Sequence, residues 1–394
     1  MTDLAAAFAP PDLRHSRRRF LLAGIAGLAI CAAGAVANPS QFFFSYLLAF
    51  MFWLGIALGC LSIVMLHHLS GGAWGLVIRR MLEAGTRTLP LMALLFVPLL
   101  FGIPRLYVWA RPEVMATDAI LREKSLYLNV PFFLIRALFY FAVWAGLAFF
   151  LNRWSLEQDR TADPGLARRL QTFSAGGIVL YVLTITFASF DWVMSLEPHW
   201  FSTIFGVLFM GGQALSALAF VIAVSVWLAG RTPFGDVLTP SHFHDLGKLL
   251  LTFIMLWAYF SLSQFLITWS GNLAEEIPWY VHRLTTGWQW IGLALVVFHF
   301  AIPFTILLSR ANKRKARVLG FVALGIIVMR IVDLFWMIGP EIHQHGFRVH
   351  WLDVVAPLAV GGIWLAYFSW QLGTRPLLPV NDPYLSEALE HHGQ

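Results

Sequence analysis

Apolar residues in this chain come in long unbroken runs, not in strict alternation and not as a narrow helical stripe. Leu89 to Ile103, for instance, contains no Asp, Glu, Lys or Arg. Charge-free runs bounded by polar loops predict helices near 20–37, 42–66, 89–104, 131–151, 170–190, 202–229, 247–270, 285–309, 317–338 and 352–372. Each is close to the ~20 residues a helix needs to cross a hydrocarbon core. The runs are too long and continuous for the alternating strands of about ten residues in a membrane barrel. The expected fold is an all-α integral membrane protein with about ten transmembrane helices.

Composition points the same way. The chain is 59% hydrophobic and 12% charged, against ~25% charged in an ordinary soluble domain. That leaves no polar surface with which to cover the apolar residues and excludes a water-soluble enzyme with one core. The longest loops, about 105–130 and 152–169, are too short for a catalytic domain. Cys31 and Cys60 both sit in apolar runs, so no disulfide framework and no CxxC metal or iron–sulfur site can be written. No Gly-x-Ser-x-Gly turn, His-Glu-x-x-His helix or phosphate-binding glycine loop is present. His242, His244 and Asp245 read as a helix start capped by Ser241 or Asp245 rather than as a metal site. The segment 373–394, with His391-His392, reads as a loose tail. No catalytic residue and no metal ligand is assigned.

The net charge of +6 is a topology signal in such a chain, not a sign of nucleic acid. With the amino terminus inside, nineteen Lys and Arg fall on the inner face, from Arg14 and Arg17 to Arg79, Arg80, Arg87, Arg231 and Arg375, and six fall outside. Arg136 and Arg330 lie within spans. The positive-inside rule then places both termini in the cytoplasm. Ser16-Arg17-Arg18-Arg19-Phe20-Leu21 with Ala35-Val36-Ala37 resembles a twin-arginine export signal, but the favoured reading keeps this segment as the first of ten helices. A faint repeat relates the second and sixth spans, through Phe44/Phe201, Ser45/Ser202, Phe52/Phe209, Gly55/Gly212, Ala57/Ala214 and Leu58/Leu215. Both run in the same direction, which predicts two four-helix bundles in parallel repeat.

An ionisable group at bilayer depth costs roughly 2.5–3.5 kcal/mol on insertion scales, so each is a functional candidate. Arg136 lies in the fourth span, His299 in the eighth, Arg330 and Asp333 in the ninth, and Asp353 opens the tenth. Arg330 and Asp333 are three apart and share a helix face. They read either as a packing ion pair or as a proton-conducting or quinone-facing pair. His299 reads as a satisfied core histidine or a relay, and a b-type haem is disfavoured because His67 and His68 lie at the other end. Arg136 either snorkels to the interface or holds a carboxylate, and Asp191 is an acid from the outer loops. Those loops also carry His343 and His345 within an aromatic belt.

Particular strings go beyond hydropathy. Ser189-Phe-Asp-Trp-Val-Met-Ser-Leu-Glu-Pro-His-Trp-Phe-Ser-Thr-Ile-Phe-Gly206 resembles a signature of the second NrfD-like membrane subunit of alternative complex III, a bacterial quinol:cytochrome c oxidoreductase. His244-Asp-Leu-Gly-Lys-Leu249, Trp257-Ala-Tyr259, Ser263-Gln264, Trp279-Tyr280, Arg283, Gly287-Trp288 and His299-Phe-Ala-Ile-Pro-Phe304 are similar to later segments of that subunit. Tyr127-Leu-Asn129, Phe132-Phe133 and Arg136 are similar to its outer loop and fourth helix. The likeness spans about 42–372. Ala274 departs from it, standing where a proline is expected before Glu275-Glu276.

The resemblance implies peripheral helices at 20–37 and 352–372 and four-helix bundles over 42–190 and 202–338, between cytoplasmic tails at 1–19 and 373–394. It implies residence in a bacterial inner membrane beside a related NrfD-like subunit, a periplasmic iron–sulfur subunit, c-type cytochrome subunits and membrane lipids. Iron–sulfur clusters and c-type haems would belong to those partners, and a quinone or quinol is the one small molecule this chain would contact. A quinol site needs an apolar slot, a hydrogen-bond acceptor and a titratable relay. His299, Arg330, Asp333 and Asp353 are the favoured relay residues, with Arg136 and Asp191 behind them. The rival readings are a purely structural membrane subunit and, less favoured, a secondary transporter.

Overall fold

The computed structural model describes residues 12–161, 163–229, 238–343 and 346–390. Residues 1–11, Arg231, His345 and the His391-His392 pair lie outside the described residues. Lipid offers no partner for backbone N–H and C=O, so an apolar run that enters it closes its own hydrogen bonds as a helix. Every regular element among the described residues is helical, and ten helices are long and apolar enough to cross a membrane. They are α1 (Arg14–Ala37), α2 (Pro39–Ser70), α3 (Leu76–Leu100), α4 (Val130–Thr161), α5 (Pro164–Trp192), α6 (Phe205–Ala229), α7 (Pro240–Gly271), α8 (Trp288–Leu308), α9 (Ala316–Ile338) and α10 (Trp351–Leu372). The chain is an all-α, multi-pass membrane protein.

Several helices outrun their apolar runs at the arginine-rich end. α1 takes in Arg14 to Arg19, α4 continues to Thr161, and α5 and α7 begin at Pro164 and Pro240. Hydropathy locates only the lipid-soluble part, whereas a helix ends where caps and prolines end it. Asp163 accepts a hydrogen bond from the Gly165 N–H at the start of α5. At α7 the cap is Thr239, in a reciprocal box with His242, and not Ser241 or Asp245. α3 begins at Leu76 and is interrupted at Arg87 and Thr88.

Helices α2 to α5 close a ring of neighbours, and α6 to α9 close a second. The rings meet where α6 lies against α2 and α5. α2 is apolar on every side and nearly all of it is buried, as befits a helix surrounded by others. α1 and α10 pack on each other outside the rings, and α10 also covers α2. The α1–α10 contact is close because Gly24 faces Gly362 and Gly27 faces Ala359, small residues that let helix backbones approach.

The carboxyl-terminal segment is not a loose tail. Leu377 and Leu378 are buried, and Asn381 donates to the carbonyl of Asp159 at 2.8 Å. Arg375 reaches Asn152 Oδ1 at 3.2 Å, and Asp382 pairs with Arg79. The segment docks across the arginine-rich ends of α3 and α4, held by polar partners that no local sequence pattern reveals.

Candidate functional site

The candidate residues do not form one site. They fall in three places, one in each bundle and one under α10.

In the first bundle Arg136 of α4 meets Asp191 near the end of α5. The guanidinium Nε and Nη2 donate to the two carboxylate oxygens at 2.8 and 2.9 Å. This forked geometry is the strong form of the pair. Tyr140 Oη donates to Asp191 at 2.8 Å, Arg136 Nη1 donates to the Tyr127 carbonyl at 2.9 Å, and the guanidinium lies 3.9 Å from the centre of the Tyr127 ring. Arg136 is therefore buried by a carboxylate and does not snorkel to the interface. Phe96, Phe141 and Trp144 pack around Trp192 beside it, with Phe141 stacked on the indole at 5.8 Å. The core of this bundle is filled by rings.

In the second bundle Arg330 and Asp333 pair on α9. Trp257 of α7 donates to Asp333 at 3.3 Å, and Arg330 Nε donates to Ser216 Oγ of α6 at 3.3 Å. The guanidinium lies against Gly212, where a Cβ would collide with it. His299 of α8 is fully buried, its ring centre 4.0 Å from that of Trp257. Neither ring nitrogen of His299 has a hydrogen-bond partner among the described residues. His299 sits in a π-helical stretch, Leu295–Ala301, a local widening that is frequent at functional sites. Trp257 thus links His299 to the Arg330–Asp333 pair.

Asp353 stands apart. It accepts from Ser45 Oγ at 2.6 Å, Gln41 Nε2 at 2.9 Å and the His350 N–H at 2.8 Å. It completes the cap of α10 while tying α10 to α2.

The string from Ser189 to Gly206 locks the loops at the end opposite the arginine-rich one. Glu197 faces Arg283 at 3.6 Å and His282 at 3.4 Å. The Pro198 carbonyl accepts from Lys124 at 2.6 Å, and His199 meets Asp118 at 2.7 Å. Trp200 stacks on Trp279 at 4.8 Å, and Ser202 donates to Gln264 at 2.6 Å.

Two sets of buried charges escaped the sequence reading because they were counted as loop charges. Arg283 is buried, donates to the carbonyls of Trp279 and Met337 at 2.9 and 2.7 Å, and lies 3.8 Å from the Trp279 ring centre. Burial pushes its guanidinium down to about 10, against the pull of Glu197 and Glu341. At the opposite end Arg79 and Arg80 enclose Glu83, with Arg80 Nη1 donating to it at 2.6 Å and Arg79 Nε at 3.1 Å. Asp159 and Asp382 complete the cluster. The i, i+4 and i, i+3 spacing of Arg79 and Arg80 to Glu83 was the available signal.

Two cavities open at the arginine-rich end. One, of about 310 Å³, lies between α1 and α10 beside Arg17 and Trp370, and a groove of about 690 Å³ lies between α4 and α5. Neither is lined by any of the candidate residues.

Asp191 and Asp333 correspond in the two bundles. Each lies near the carboxyl-terminal end of its bundle's last helix, seven residues before a proline, Pro198 or Pro340. Their arginines do not correspond, since Arg136 comes from a neighbouring helix and Arg330 from the same one. Comparison with known proteins finds no matching family model and no matching curated protein.

Proposed function

We propose that this chain is an NrfD-like membrane subunit of a respiratory quinol:cytochrome c, or oxidase-linked, oxidoreductase. It would lie in a bacterial cytoplasmic membrane with both termini on the cytoplasmic side. The string Ser189 to Gly206 supports the family, and the nineteen-to-six split of basic residues supports the orientation. Iron–sulfur and c-type cytochrome partners carry the electrons in this reading.

The contribution of this chain is a proton path through the second bundle. The observation that carries it is His299, a fully buried imidazole whose two nitrogens have no hydrogen-bond partner among the described residues, in ring contact with the indole that donates to Asp333. A buried polar group without a partner is costly, and buried ionisable groups in membrane helices commonly serve proton movement. The donors and acceptors here suit a quinol hydroxyl, but the two cavities described above lie elsewhere.

Asp333→Asn in the assembled complex tests this directly. Quinol:acceptor turnover or proton release should fall while the subunits stay together. Unchanged turnover with unchanged proton stoichiometry would overturn the relay. The second reading, a structural subunit, is favoured by the saturated Arg136–Asp191 pair and predicts that unchanged outcome. A transporter gains no support, because the interrupted α3 and the π-helical α8 do not occupy matching places in the two bundles.

A further inference from the structure

We infer that the groove between α4 and α5 at the arginine-rich end is a specific binding site for one anionic phospholipid. Arg168 and Arg169 stand at its mouth, exposed, and neither pairs with a carboxylate among the described residues. Asp163, the acid close by in sequence, spends its carboxylate on the Gly165 N–H. Arg169 lies 5.7 Å from the ring centre of Trp154, which packs edge-on against Phe173 at 5.0 Å. Two adjacent arginines, one of them over a tryptophan, are the arrangement that holds a phosphate at the level of lipid headgroups.

Below the mouth the groove turns apolar. Its wall runs along α5 to Leu180, and twelve residues at 1.5 Å each reach about 18 Å. That matches one leaflet, half of a core ~30 Å thick. Gly176 opens the lower part, since a Cβ there would meet nothing within 4 Å. Charge at the top and an apolar slot one leaflet deep fit a phospholipid and not a free anion. The α1–α10 cavity differs, because Arg14 there is already bonded to Asp12.

The test uses the full chain, delipidated in detergent and titrated with phosphatidylglycerol or phosphatidylcholine of identical acyl chains, with bound lipid counted by native mass spectrometry. The wild type should retain one phosphatidylglycerol in preference to phosphatidylcholine. The double substitution R168Q/R169Q should lower that preference about 30-fold, two arginines each acting near the surface. Gly176→Phe should reduce retention of both lipids by filling the slot. Equal retention of the two lipids by the wild type, an undiminished preference in R168Q/R169Q, or displacement of the lipid by an equal concentration of glycerophosphate would overturn the site.

Discussion

The two bundles place an aspartate at the same point and then treat it differently. Asp191 is saturated by a forked arginine from α4 and a tyrosine hydroxyl, and its surroundings are packed rings. Asp333 has its arginine on its own helix, takes one indole N–H, and leaves a histidine close by without a partner. A forked pair between two helices fixes their packing directly, whereas the pair within α9 reaches α6 and α7 only through single bonds to Ser216 and Trp257, and the facing helix offers a titratable group. The first therefore suits a strut and the second a relay.

The comparison can be broken most forcefully at Asp191. Asp191→Ala leaves Arg136 buried without a carboxylate and should cost about 3–5 kcal/mol, read as lower folded yield and an earlier unfolding transition in detergent. A smaller loss there would mean that the pair is no strut. The repeat offers a sharper contrast in Gly212 and Gly55. Gly212→Ala drives a methyl into the Arg330 guanidinium and should cost about 1–3 kcal/mol. Gly55→Ala meets only Gln213 Cγ at 3.5 Å and should be neutral or gain up to about 1 kcal/mol in helix propensity. Equal effects at the two glycines would remove the asymmetry.

His299→Phe removes no protein hydrogen bond and keeps a ring against Trp257, so stability should change by less than about 1.5 kcal/mol while proton release falls. Loss of fold without loss of proton release in the residual complex would reverse the assignment. The smallest effect lies in the loop between α3 and α4. The Leu121 N–H, followed by His199, holds the half-buried Asp118 carboxyl below its usual value. Its contribution is complete above the ordinary carboxylate range and lost as pH falls through the lowered pKa. Amide protection over 119–126, taken relative to the intrinsic exchange rate at each pH, should fall only in acid, and protection already lost at neutral pH would contradict this.

The spans were legible because lipid imposes one requirement on any segment that enters it, and the lack of charge from Leu89 to Ile103 states it openly. The ends were less so, since α4 and α5 continue beyond the apolar run as ordinary helices closed by Asp163 and Pro164. Arg330 and Asp333 could be paired on paper because three residues on a helix share a face. Arg136 with Asp191, 55 residues apart, could not. Asp353 looked like a relay residue because depth alone marked it, and only its bonds to Ser45 and Gln41 on α2 show a cap. Arg79, Arg80 and Arg283 looked like loop charges because a basic residue at the edge of a span reads as topology until its partners are seen.

The sequence by itself determined that this protein is a ten-helix membrane protein and which residues are out of place in lipid, because hydropathy and charge are properties of each residue alone. Tertiary structure decided which of those residues are struts, which is a cap and which is left unpartnered. Partnership between helices depends on distances across the bundle, and no local pattern carries them.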